Sequence, residues 1–107
     1  MSIVISTLDT APQPGTEIIG LVSASCCFSK SMIGDVVANV KNWTVGGELN
    51  AYSKLLDRAM ELVVERITEN AVSKGATGII GFRVCTSQVA EGAAELVAYG
   101  TAIRVSS

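Results

Sequence analysis

Three thiols and a complete lack of histidine bound the chemistry open to this chain. Cys26 and Cys27 are adjacent, and Cys85 lies in a separate segment. Zinc, cadmium and monovalent copper take thiolate ligands, so Cys26, Cys27 and Cys85 are the candidate metal ligands. Cys-x-x-Cys spacing is absent, and one chain supplies too few soft donors for a closed tetrahedral zinc site. Neighbouring residues of a regular strand point to opposite faces, so Cys26 and Cys27 reach one ion only where the strand ends or bulges. An assembly changes the count, because symmetry repeats each thiol across an interface. The competing reading is of free buried thiols acting as small apolar side chains in a reducing cytoplasm.

Catalysis is poorly supplied. The absence of histidine removes the usual base near neutral pH and the triads built on it, so no catalytic residue is assigned and the chain is expected not to be an enzyme. Glu61, Glu65 and Glu69 stand four residues apart and would suit a hard cation, but such a row more often forms a solvated helix face, here partly balanced by Arg58 and Arg66. Gly46, Gly47, Gly78 and Gly81 offer backbone amides to an anion, yet neither a Walker-type Lys-Ser or Lys-Thr nor a Gly-x-Gly-x-x-Gly unit follows a strand. With a net charge of −2 and scattered basic residues, nothing points to nucleic acid. Trp43 and Tyr52 flank the double glycine, where they either line a ligand pocket or seal the junction of two helices.

The elements that must position these residues follow from periodicity. Tyr52, Leu55, Leu56, Ala59, Met60, Val63, Ile67 and Val72 recur at three- and four-residue steps and predict one long amphipathic helix. Asn50 is its candidate N-cap, and Lys74-Gly75 its stop. Ile79 to Gln88 and Glu95 to Val105 read as strands joined through Ala90-Glu91-Gly92-Ala93. Glu17 to Phe28 is a further strand, and Ser31 to Trp43 has the spacing of a short helix. Ser2 to Ser6 is an edge strand, followed by a turn over Asp9 to Thr16 with Pro12, Pro14 and Gly15. Val97, Tyr99, Thr101, Ile103 and Val105 share one strand face, and Leu96, Ala98, Gly100 and Ala102 the other. The small residues of the second face would let a helix approach closely.

A chain of 107 residues is expected to form a single domain, residues 1–107, with 1–16 as its N-terminal edge strand and turn. Hydrophobic residues make up 49% of it and charged residues 17%, more apolar surface than one small core hides. No run reaches the roughly 18 apolar residues of a membrane span, and no positive charge precedes Lys30 as a signal peptide would require. The expectation is a cytoplasmic homo-oligomer.

Gly46-Gly47, Ala51-Tyr52, Gly75-Ala76, Ile80-Gly81 and Gly100-Thr101-Ala102, in this order, resemble the YbjQ-like family, a heavy-metal-binding label on proteins of uncharacterised function. The resemblance covers Gly20 to Val105. It implies an α+β fold: a two-layer β-α-β-β subunit of dodecin-like kind, one long helix on a small antiparallel sheet, assembled as a ring, a pentamer or a decamer. The chain departs from the family's pattern at Glu48-Leu49, where Arg-Ser is expected, at Ser53, where an acidic group is common, and at Ser25-Cys26, where a Gly-Glu pair is common. The resulting expectation is a self-assembled module that binds soft divalent or monovalent metal ions at subunit interfaces. The alternative is a dodecin-like container for a small molecule, without metal.

Overall fold

The computed structural model describes residues 3–11, 13–29, 47–90 and 93–105. The helix expected over Ser31 to Trp43 lies outside them, as do Gly46 and the hairpin residues Glu91 and Gly92. The described chain runs β1 (Val4–Ile5), β2 (Glu17–Ser29), α1 (Gly47–Ser73), β3 (Gly78–Ala90) and β4 (Ala93–Arg104). Its strands form one sheet in the order β1-β3-β4-β2.

Leu55, Ala59, Val63, Ile67 and Ala71 recur at every fourth residue of α1 and are all buried, which lays a continuous ridge along one side of the helix. The ridge packs on Val22, Cys26, Leu96, Ala98 and Ala102 of the sheet. Met60, assigned to the stripe from its spacing, sits at the stripe's exposed margin. The helix begins at Gly47, so Asn50 falls inside its first turn rather than before it; Glu48 and Leu49 are good helix formers and extend it. At the other end Gly75 has φ +85°. The Ala76 amide donates to the Ala71 carbonyl at 3.0 Å and the Gly75 amide to the Val72 carbonyl at 2.9 Å, the paired bonds of a Schellman cap.

β2 and β3 flank β4 in antiparallel pairing. The sheet as a whole is mixed rather than antiparallel as expected, because β1 joins the edge of β3 in parallel. Gly78 permits this approach: a Cβ there would stand 3.2 Å from the Val4 carbonyl oxygen. In β3, Ile80 pairs with Thr101 and Arg83 with Tyr99, leaving Gly81 and Phe82 opposite Gly100 alone. Gly81 has φ +62°, so this is a bulge with glycine in its left-handed position. Gly100 is required across from it, since a Cβ would lie 2.7 Å from Ile79 Cγ2 and 3.0 Å from the Ile80 carbonyl oxygen.

Candidate functional site

The face of the sheet away from α1 carries the thiol chemistry. Across β2, β4 and β3 the register aligns Cys27 with Glu95 and Ser87, Ser25 with Val97 and Cys85, and Ser23 with Tyr99 and Arg83. Strand alternation places these three rows on the outer face, with Cys26 and Leu96 turned inward toward the helix. Cys26 is accordingly 5% exposed within the core, whereas Cys27 and Cys85 are exposed.

The adjacent cysteines thus face opposite ways. Cys27 and Cys85 share the outer face, but they sit on strands separated by β4. Two interstrand spacings across the sheet and two residues along it put roughly 12 Å between their backbones, against a zinc–sulfur bond of about 2.3 Å. Among the described residues no group of three or more Cys, Asp or Glu side chains is gathered closely enough to hold a metal ion.

One pair does form. The Cys27 thiol donates to Glu95 Oε2 at 3.4 Å, a contact made by the β2/β4 register between residues 68 apart in sequence. That hydrogen bond raises the Cys27 pKa above its ordinary value; desolvation and the electrostatic influence of Glu95 and, last, of the neighbouring Cys26 act in the same direction, and Arg66 opposes them. The thiol is therefore held in its protonated form near neutral pH. It is a poor nucleophile in that state, while a cation that displaced the proton would gain a thiolate and a carboxylate together.

A shallow groove of about 530 Å³ lies beside this pair, with Ser25, Arg66, Glu69, Asn70 and Glu95 in its lining. Arg66 Nη1 donates to the Ser25 carbonyl at 2.7 Å, Asn70 Nδ2 to the Ser23 carbonyl at 2.9 Å and Lys74 Nζ to the Leu21 carbonyl at 3.3 Å. Residues four apart, two on α1 and one just past its end, thus match alternate carbonyls along the edge of β2 away from β4. Of the acidic row, Glu61 pairs with Arg58 at 3.3 Å on the solvent side and Glu69 lines the groove; Arg66 bonds a strand carbonyl instead of balancing the row. The Gly81 amide donates to the Leu8 carbonyl at 2.6 Å and Phe82 to Ser6 at 3.0 Å, so these amides hold the N-terminal segment rather than an anion. Sequence reasoning missed Glu95 as a partner of Cys27, and it missed Asn70 and Lys74, although the spacing of Arg66, Asn70 and Lys74 was visible on the helix.

A thiol and a carboxylate presented together suit a borderline or soft ion, and the comparison with known families bears on that point. A family model described as "Putative heavy-metal-binding" matches residues 3–106. The chain belongs to the YbjQ-like family. Its relatives include UPF0145 proteins of Clostridium perfringens, 42% identical over 100 residues (92% of this chain, 93% of that protein), and Methanosarcina acetivorans, 38% identical over 103 residues (95% and 96%). A third, from Psychromonas ingrahamii, is 35% identical over 103 residues (95% and 97%). These names specify no reaction. A crystal structure of a protein of unknown function, assigned to the DUF74 family and from Pediococcus pentosaceus, superimposes with a TM-score of 0.70 at 17% identity, covering 99% of this chain and all of that one. It shows that this YbjQ-like chain shares the neighbour's fold. Cys27 and Glu95 bring one thiol and one carboxylate together, and among the described residues no third Cys, Asp or Glu joins them closely enough to hold an ion.

Proposed function

We propose that this chain is the subunit of a non-catalytic cytoplasmic homo-oligomer that binds soft or borderline metal ions where copies meet. Cys27 and Glu95 are the chain's own ligands, and a neighbouring copy's exposed thiol or carboxylate, or water, completes the shell. Cys85 shares the outer face and is the thiol a second copy would present; Cys26, next to Cys27 on β2, packs into the core on the opposite face. The observation that carries this reading is the 3.4 Å contact between the Cys27 thiol and the Glu95 carboxylate on an exposed face. A bound ion would supply a positive charge that replaces the thiol proton, so binding releases a proton.

Assembly is supported by the apolar surface left uncovered. Leu21 is 70% and Tyr99 41% exposed on the outer face, flanked by the half-buried Val97 and Thr101. Among the described residues no helix is long and apolar enough to cross a membrane. Light scattering after size exclusion, on tag-free protein at micromolar concentration with elemental analysis of the same peak, tests the reading. A pentamer or decamer carrying a soft metal supports it; a metal-free monomer overturns it.

A further inference from the structure

We propose that the space between the N-terminal segment and the sheet is a binding site for a small, uncharged, mainly aliphatic molecule bearing one hydrogen-bonding group. The segment is held firmly enough to form a wall. Ser6 donates to the Ile79 carbonyl at 2.8 Å and accepts from the Phe82 amide at 3.0 Å, and Arg83 bonds both the Thr7 carbonyl at 3.0 Å and Asp9 Oδ1 at 3.2 Å. A cavity of about 290 Å³ remains between this wall and the sheet. A dry aliphatic cavity of about 150 Å³ accepts a benzene-sized molecule, so this one has room for a six- to eight-carbon chain.

The lining decides the class of ligand. Ile80, Ile103 and Val105 form the sheet side, with Val4 and Leu8 on the segment. Among the described residues no charged side chain lines it, so a metal ion, phosphate or carboxylate would lose hydration without compensation. Val4 and Leu8 are 73% and 62% exposed, which places aliphatic surface in contact with solvent at the cavity's rim. Hydrogen-bonding capacity comes from the segment: Ser6 Oγ accepts from the Leu8 amide at 3.0 Å, leaving its own hydrogen to donate, and the polar residues Thr10 and Gln13 also belong to the lining. An alcohol, amide or ketone on a short aliphatic body matches these groups. Neither Cys27 nor Glu95 lines this cavity, so the inference stands apart from the metal reading.

The test is a methyl-labelled NMR titration of the wild-type protein with hexan-1-ol, and with hexanoate at neutral pH as the charged control. Saturable shifts are expected at Leu8, Ile80 and Ile103, with Ile79 and Val63, which lie in the core against α1, unmoved. Hexanoate should bind at least about tenfold more weakly, since its carboxylate finds no partner. Val105→Phe, which fills the cavity from the strand end, should weaken hexanol binding by a similar factor. Absence of saturable shifts, shifts spread over both faces of the sheet, or equal binding of hexanoate would overturn the proposal, and the wild-type titrations decide it whether or not Val105→Phe folds.

Discussion

Gly100→Ala is the sharpest test of the sheet geometry. The new Cβ would stand 2.7 Å from Ile79 Cγ2, 3.0 Å from the Ile80 carbonyl oxygen and 3.4 Å from Phe82 Cα, where carbon pairs prefer roughly 3.5–4.0 Å. Two of the three neighbours are backbone of the β3 bulge, and Ile79 is completely buried, so neither side has room to retreat. Overpacking of this kind costs about 1–3 kcal/mol; with the closest contact against a locked side chain, about 2 kcal/mol is expected. For a domain of this size the urea dependence is roughly 1 kcal/mol per molar, so the unfolding midpoint should fall by about 2 M, measured by circular dichroism at fixed protein concentration. Ile79→Leu moves the branch away from the clash, and the double variant should lose less than the sum of the two single variants. An unchanged midpoint for Gly100→Ala would refute the bulge register.

Gly75→Ala should cost about 1 kcal/mol by straining the left-handed cap residue, and an unmoved denaturation midpoint would place the helix end elsewhere. Glu95→Gln replaces the carboxylate acceptor with a neutral amide and removes the negative charge that helps raise the Cys27 pKa, so the pH profile of Cys27 alkylation, followed by mass spectrometry of the Cys27 peptide, should move to lower pH; an unmoved profile would dissolve the pair. The sign for stability follows from the same shift: a thiol whose folded pKa is raised contributes stability below its unfolded pKa and loses it as pH rises through the folded value, and Glu95→Gln should flatten this alkaline loss. The triple variant of Arg66, Asn70 and Lys74 to Ala uncaps three carbonyls on the edge of β2 away from β4, and exposed edges invite strand addition. Thioflavin binding and turbidity should rise in it, while a variant no more prone to association than wild type would show that the helix side chains do not guard the edge.

The fold was legible where local pattern and tertiary need coincide. Leu55, Ala59, Val63 and Ile67 announce a buried helix face by spacing, and Gly75 its stop, because only a residue free of Cβ strain sits easily at φ +85°. The two faces of β4 also follow from alternation. What pattern could not reach was set by contacts distant in sequence. Nothing within Ser2 to Ser6 says that the strand joins β3 in parallel, since that depends on the space above Gly78. The Cys27–Glu95 pair depends on the β2/β4 register, and the burial of Cys26 rather than Cys85 depends on which face of each strand meets α1. Both strands carry apolar residues on both faces, so alternation alone left that choice open.

Calorimetric titration of zinc or cadmium into metal-free wild-type protein, Cys27→Ser and Glu95→Gln tests the central proposal most directly. The wild type should bind with proton release and with an apparent affinity that rises about tenfold per pH unit below the thiol's pKa. Cys27→Ser should lose most of the affinity, and Glu95→Gln should weaken binding and move the pH at which the affinity levels off to a lower value. Equal and weak binding by all three proteins would contradict a metal site at Cys27 and Glu95.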